Sequence, residues 1–264
     1  MSYPAESYEK YVVPALFAPW SAHLIRSANV QLGEYVLDVA CGTGIVARCI
    51  APHVGPQGMV IGLDLNPNML RVAGVAAERE DLTIEWRASP AEQLPFPDGS
   101  FDLITCQFGL MFFTDRHKAL MEMHRVLRAG GRVVVSVWQG MARHPFYQTL
   151  DAVSRQHLGK SSVQTVFSLG DVDKLRQLLT DAGFQQVEIE PASITARYSN
   201  PEEFVVWEID VDPAETPALQ SLDAHAQQAI LAAVRQDMQA ALDEVMQDGQ
   251  VVLASHAHVA HARR

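Results

Sequence analysis

Apolar residues along this chain recur with two different spacings. Between residues 35 and 138, short apolar runs rich in β-branched side chains alternate with stretches whose apolar positions fall every three to four residues. The run YVLDVACGTG is followed by IVARCIAP, and MVIGLDLN by PNMLRVAGVAAERE. LTIEW, FDLITCQF and RVVVSVW come after them. Each unit reads as strand, turn and helix. Pro67 stands where a first helical turn tolerates proline, and a helix from about Thr114 to Arg128 is stopped by Gly130 and Gly131. Five strands separated by helices predict a parallel sheet, and VVVSVW, which lacks polar alternation, predicts strands covered on both faces.

The flanks differ. From Tyr8 to about Ala28 the spacing is helical, but Pro14 and Pro19 interrupt it, which predicts two short helices packed at an angle. Beyond a mixed segment, residues 139–169, a helix opens at the N-cap Asp171, followed by a strand at FQQVEIE and another near TARY. Thr216 and Pro217 form an N-cap and first-turn pair, and Ile230, Val234, Met238 and Leu242 make one helix face. The stretch QVVLASHAHV closes the chain as a strand. The expected fold is α/β: a doubly wound Rossmann-like sheet of about seven strands, mostly parallel with an antiparallel late edge strand, plus a helical cap. The expected segments are a helical lead-in or lid (1–30), a ligand-binding α/β domain (31–200), a helical cap insertion (201–248) and a closing edge strand (249–264).

With 264 residues, 48% hydrophobic and 19% charged, the chain is long enough for one large core. Its formal net charge of −11, without a Lys/Arg-rich run, argues against nucleic acid and anionic membranes as partners. Cys41, Cys49 and Cys106 are odd in number and form no CxxC pair, which disfavours a disulfide framework or a closed zinc site. The opening MSYPAESYEK is polar and acidic, and no apolar stretch approaches the roughly 18 residues of a membrane span. The reading expects a cytoplasmic protein.

The chemistry concentrates at the first strand's loop, the usual ligand site of an open α/β sheet. Gly42, Gly44 and Ala47 satisfy the permissive dinucleotide pattern GxGxx(G/A), which by itself fits a tight structural turn equally well. Asp64 closes the second strand 20 residues after Gly44, where a carboxylate can accept hydrogen bonds from both hydroxyls of an adenosine ribose. That suits NAD and S-adenosylmethionine alike. Asp38 separates them: its carboxylate would repel a pyrophosphate and attract an ammonium and a sulfonium. The competing role for Asp38 is to cap nearby backbone amides.

VLDVACGTG, GLDLNPNML, SPAEQLPFPDGSFDLI, CQFGLMFF and HRVLRAGGRVVVSVW, in this order, resemble the class I S-adenosylmethionine-dependent methyltransferases. Within them the chain is most similar to the small-molecule branch typified by the ubiquinone/menaquinone C-methyltransferases. The resemblance covers residues 35–138. It implies that the loop of Asp38, Ala40, Gly42, Thr43 and Gly44 holds the methionine part and Asp64 the ribose, with Leu65 beside it also at the cofactor. It further implies that Met69 packs near the adenine, that Pro90 and Ala91 occupy the adenine-recognition dipeptide, and that Gln107 lies close to the methionine moiety. Pro90 departs from the family, which often has Asp or Asn there; proline offers only its carbonyl. Ala129 replaces the usual proline before the double glycine.

Methyl transfer from a sulfonium is an in-line displacement that positioning and water exclusion accelerate, and a base is needed only for a protonated acceptor. His144 is the candidate base, against the commoner fate of a satisfied histidine. Tyr8, Tyr11, Trp20, Phe146 and Tyr147 are candidate acceptor-pocket residues, against core packing. Cys106 lacks the preceding proline of cytosine-C5 methyltransferases, having Thr105 instead. His256, His258 and His261 suggest an alternating, exposed strand, and no metal is expected. The (N/D)PP(Y/F) tetrapeptide of enzymes that methylate amino groups of nucleic acid and protein is absent. The reading is a methyltransferase that converts S-adenosylmethionine to S-adenosylhomocysteine while methylating carbon or oxygen of a small, apolar or aromatic molecule. The alternatives are an NAD-dependent oxidoreductase and a non-catalytic cofactor-binding protein. Acceptor and oligomeric state stay open.

Overall fold

The computed structural model describes residues 5–159, 161, 163–208, 219 and 222–264. Its centre is one sheet built from β1 (Tyr35–Val39), β2 (Met59–Asp64), β3 (Glu85–Ala88), β4 (Phe101–Gln107), β5 (Leu127–Trp138), β6 (Gln185–Tyr198) and β8 (Gln250–Arg263), in the order β3-β2-β1-β4-β5-β8-β6. A short β7 (Met246–Gln247) turns back onto β8. β1 pairs in parallel with β2 on one side and with β4 on the other, so the winding reverses between β1 and β4. That reversal leaves a crevice at the carboxyl ends of these strands.

Both sheet faces are covered, as the uninterrupted apolar runs predict. On one face Val36, Val60, Leu103 and Val134 pack with Leu24 and Ala28 of the helix Ala18–Ala28 and with Val46 and Ile50 of the helix Ile45–Val54. On the other face Leu37, Val39, Ile104 and Val135 share a core with Leu120 and Met123 of the helix Arg116–Val126 and Leu175 and Leu179 of the helix Val172–Asp181. Asp171 caps that last helix, accepting from the amides of Asp173 and Lys174.

Three expectations need correction. The antiparallel closing strand is not at the edge: β8 lies between β5 and β6 and runs antiparallel to both. FQQVEIE and TARY are one strand, β6, and β6 is the edge. Its exposed residues alternate with half-buried ones, and Pro191, which has no N–H to donate, is tolerated on an edge strand. Finally, the two N-terminal helices follow each other without a break at either proline. Residues Tyr8–Phe17 form a π-helix that runs into Ala18–Ala28, the Ala18 amide donating five residues back to Val13. The wider turn accommodates Pro14, while Pro19 sits in the first turn of the following helix.

Thr216 and Pro217 lie outside the described residues. The helix Ala224–Val245 is capped by Asp223 and buries Val234 and Met238, with Ile230 and Leu242 half-buried beside them. Among the described residues no helix is long and apolar enough to cross a membrane.

Candidate active site

The loop after β1 turns within a few residues because Ala40, Gly42 and Gly44 all take positive φ, at 56°, 55° and 82°. Its ends are pinned by the Cys41 amide on the Leu63 carbonyl (3.0 Å) and the Gly44 amide on the Cys41 carbonyl (2.8 Å). Gly44 then starts the helix Ile45–Val54. A Cβ on Gly44 would overlap the Trp86 ring, whereas one on Gly42 would meet open space, so Gly42 leaves its backbone accessible to a ligand.

Two carboxylates flank the loop. Asp64 is half-buried; its Oδ2 accepts from the Gly42 amide and its Oδ1 from the Asn66 amide, both at 2.8 Å. Asp38 is 1% exposed and accepts from the Thr105 hydroxyl at 2.8 Å and the Ala47 amide at 3.2 Å. The amide-capping role is therefore real. It is also insufficient, because burial pushes the Asp38 carboxyl up to about 7 against the pull of both hydrogen bonds, with Asp64 adding to the rise. Among the described residues none of the groups acting on it is a cation.

Two buried polar atoms in this crevice have no partner: the Thr43 hydroxyl and the Gln107 side-chain carbonyl. The Gln107 amide nitrogen donates to the Phe17 carbonyl and the Ser21 hydroxyl, both at 3.2 Å, which fixes the free oxygen in place. An unpartnered acceptor and a buried Asp38 carboxylate without a cation suit a ligand that brings an ammonium and a sulfonium, and they oppose a pyrophosphate. Around Asp64, Leu65 is 70% exposed and Met69 is half-buried, which leaves apolar surface for a flat ring. Pro90 is exposed and Ala91 buried; the Pro90 carbonyl already accepts from the Gln93 amide at 3.1 Å, leaving one lone pair for an adenine.

The candidate pocket residues separate. Trp20 is a core residue, its Nε1 donating to the Ser255 hydroxyl at 3.1 Å and its ring set against Phe108 and Trp138. Tyr8 contacts Phe17 and Trp207, with centroids at 5.4 and 5.6 Å, and feels the charge of Asp64. Tyr11 lines a cavity of about 120 Å³ with Lys10, Arg197, Tyr198, Phe204 and Trp207. Phe146 is buried between Tyr147 and Phe204, and Glu208 acts electrostatically on the Tyr147 phenol. Tyr8, Tyr147, Phe146, Phe204, Tyr198 and Trp207 thus bring the π-helix, the helix Pro145–Leu158, β6 and the helix Pro201–Glu208 together on the crevice side. Tyr198, Trp207 and Glu208 carry no motif; the one sequence signal is a carboxylate inside the apolar run FVVWEI.

His144 is 3% exposed and caps the helix Pro145–Leu158, its Nε2 lying 3.2 Å from the His256 carbonyl. That carbonyl requires a proton on Nε2. Burial, with His256 adding to it, pushes the imidazolium down to about 4, so the ring is neutral and weakly basic. Cys106 is fully buried and its thiol is pushed up to about 12 by burial and Asp38, which keeps it protonated. The three C-terminal histidines lie on an interior strand rather than an exposed one. All are half-buried; His258 bonds the Gly170 carbonyl and His261 that of Ser27, on different elements.

Comparison with known proteins agrees with this geometry. The chain is 35% identical over 182 residues to the ubiquinone/menaquinone biosynthesis C-methyltransferase UbiE of Pseudoalteromonas translucida, covering 63% of this chain and 72% of that one. To the enzyme of the same name from Francisella tularensis subsp. novicida it is 37% identical over 193 residues, covering 64% and 74%. The YcgJ protein of Bacillus subtilis has the same fold, with a TM-score of 0.62 at 20% identity over 92% of this chain and 97% of that one. The model of the ubiE/COQ5 methyltransferase family matches residues 13–197. That span is well over half of the sequence, so the chain belongs to the ubiE/COQ5 methyltransferase family and is a methyltransferase whose methyl donor is S-adenosylmethionine.

Proposed function

We propose that this enzyme methylates carbon or oxygen of a small aromatic acceptor that carries a ring hydroxyl. The observation that carries the cofactor half is the loop after β1: a buried Asp38 carboxylate on which no cation acts among the described residues, beside an unpartnered Thr43 hydroxyl and Gln107 carbonyl. Asp38 and Gln107 would hold the ammonium end of S-adenosylmethionine, Gly42 and Gly44 would let the backbone approach it, and Asp64 would take the ribose hydroxyls. Leu65, Met69 and Ala91 would flank the adenine. When bound, the cofactor supplies an electrophilic methyl group on a sulfonium. The acceptor half rests on the aromatic side chains gathered at the crevice, and on relatives named for ubiquinone and menaquinone biosynthesis, whose products carry quinone rings. Residues 1–30 act as a lid and residues 201–248 as a cap over that acceptor, in a cytoplasmic setting.

Calorimetric titration with S-adenosylhomocysteine tests the reading, with NADH as control and Asp64→Ala as variant. Micromolar binding that is lost in the variant is expected, followed by methyl uptake in a screen of phenols and quinols. A preference for NADH would overturn it in favour of an oxidoreductase.

A further inference from the structure

The cavity between the π-helix and β6 lies apart from the cofactor crevice. Gln107 ends β4, and β6 is the third strand beyond β4, roughly 14 Å away at the usual strand spacing. β5 and β6 are both antiparallel to β8 and so parallel to each other, which brings Tyr198, the last residue of β6, to the same end of the sheet as the crevice. A layer of rings stands between the two. The Phe17 carbonyl accepts from the Gln107 amide, the Phe17 ring lies 5.4 Å from that of Tyr8, and the Tyr8 ring lies 5.6 Å from that of Trp207, which lines the cavity. A molecule held in the cavity therefore does not reach the loop after β1.

Val12, Ala15 and Phe204 give this cavity buried apolar walls, while Lys10 and Arg197, which line it as well, are exposed and open it to water. Its volume of about 120 Å³ is close to the roughly 150 Å³ of an apolar cavity that takes one benzene ring. The Tyr198 hydroxyl is buried with no hydrogen-bond partner, which costs the fold the desolvation of a polar group and returns nothing. Burial holds that phenol protonated, so it has a proton to donate. The lining brings two cations, Lys10 and Arg197, against one carboxylate, Glu203, which acts on Lys10. In a chain of net charge −11 such a positive excess is local. Ser199 and Asn200 also line the cavity and lead into the helix Pro201–Glu208, whose positive dipole end adds to that excess. Glu208 acts on Tyr198 from beyond the lining and opposes an anion, but burial pushes its carboxyl up to about 7, so it is mostly protonated in mildly acidic solution.

We propose that this cavity is a second binding site, separate from that of the cofactor, for a small aromatic carboxylate whose ring lies against Val12 and Phe204 and whose carboxylate accepts from the Tyr198 hydroxyl and pairs with Arg197 and Lys10. The donors decide the charge of the ligand. A guanidinium and an ammonium can only donate, and a hydroxyl beside them is best used as a third donor, so the ligand must bring acceptor oxygens. A neutral ring would fill the walls and leave the Tyr198 hydroxyl without a partner, as it is now. A carboxylate without a ring would leave the apolar walls uncovered. The family model stops at residue 197, before Tyr198 and Phe204, so the family match assigns this cavity no ligand. The π-helix that forms one wall also carries Glu9, which bridges to Arg48 on the helix after the cofactor loop, so the two sites share one element without sharing a ligand.

The test follows benzoate by ligand-observed NMR and calorimetry, with and without saturating S-adenosylhomocysteine, at about pH 6, where a carboxylic acid of ordinary strength is ionised. Wild type should bind it with a dissociation constant of about 1 mM or below, as befits so small a ligand. Benzyl alcohol, which has the ring without the charge, should bind at least about tenfold more weakly, and acetate, which has the charge without the ring, should not displace benzoate at equal concentration. Tyr198→Phe removes a hydroxyl that the fold leaves unpaired, so it should melt at the wild-type temperature or above it and bind benzoate about tenfold more weakly. Arg197→Gln, at an exposed position, should weaken benzoate about threefold and leave benzyl alcohol unchanged. The proposal is overturned by no benzoate binding up to about 10 mM, by equal affinity in wild type and both variants, or by displacement of benzoate by S-adenosylhomocysteine, which would put the ligand in the crevice. If Tyr198→Phe melts lower than wild type, its loss of affinity does not count and Arg197→Gln decides, an unchanged benzoate affinity there overturning the proposal.

Discussion

Asp38 and Thr105 stand opposite each other in the register of β1 and β4, and the Thr105 hydroxyl donates to Asp38 Oδ1 at 2.8 Å. The bond holds a buried carboxylate at the point where the sheet's winding reverses, yet burial still leaves its proton affinity near neutral, at about 7. A ligand ammonium pairs only with the ionised form. S-adenosylhomocysteine affinity should therefore rise as pH climbs through about 7 and level off above it, with protons released on binding below that point. Thr105→Val removes a bond that favours the charged form and should move the inflection upward. Calorimetry at several pH values in two buffers reads both effects, and a pH-independent affinity would show that Asp38 does not meet the ligand's charge.

His144 carries a prediction about stability rather than affinity. Its imidazolium is pushed down to about 4 in the folded protein, whereas an unfolded chain binds that proton at ordinary histidine values. Between those values the unfolded state holds the proton and the folded state does not, so this residue's contribution to stability is lost as pH falls from about 6.5 toward 4. His144→Phe, among the rings of Trp138, Tyr147 and Phe167, gives up one hydrogen bond to the His256 carbonyl, about 1 kcal/mol at neutral pH. It should lose less stability than wild type on acidification, by about 2 kcal/mol at pH 5. Melting curves at pH 7 and pH 5 check this; parallel losses in both proteins would contradict it. Methyl transfer should survive the substitution.

Gly44 carries a backbone requirement and a packing requirement that can be separated. Its φ of +82° strains any other residue by about 1 to 2 kcal/mol, and a Cβ would also overlap the Trp86 ring. Gly44→Ala should lower the melting temperature and weaken S-adenosylhomocysteine binding together. Adding Trp86→Leu should recover the overlap but not the strain, so the paired variant should regain part of the loss relative to Trp86→Leu alone. Simple additivity in that cycle would mean that the ring moves aside at no cost.

The sheet and the loop after β1 were legible because their determinants are local. A β-branched run ending in an acidic residue and two glycines needs no distant partner to be read, and Asp64 lies at a fixed spacing beyond it. The place of β8 was not legible, since alternating apolar residues identify a strand but not its neighbours, and β8 finds its partners more than fifty residues away on both sides. The same holds for Glu208. FVVWEI shows a carboxylate in an apolar run, but its burial comes from folding the helix Pro201–Glu208, whose Phe204 packs on Phe146 about sixty residues earlier. Pro14 was read as a helix breaker because a π-turn that absorbs it leaves no mark in the hydrophobic spacing.

Arg48 ties the N-terminal segment to the cofactor loop. It sits on the helix that Gly44 opens, is 6% exposed, and bridges Glu9 of the π-helix to Glu80. Glu6 makes a parallel, exposed bridge to Arg71, which is worth little by comparison. Removing Arg48 leaves Glu9 and Glu80 without their cation, but at 23% and 46% exposure both reach water, so Arg48→Met should cost about 1 kcal/mol. Glu9→Gln keeps a hydrogen-bond acceptor for the guanidinium and should cost less. If the segment covers the crevice through this bridge, both variants should release bound S-adenosylhomocysteine faster, by roughly tenfold for Arg48→Met, while Arg71→Met should not. Melting temperature and stopped-flow dissociation rates separate the two roles: a lower melting temperature with an unchanged dissociation rate would make the bridge a stabilising contact with no part in retaining the cofactor.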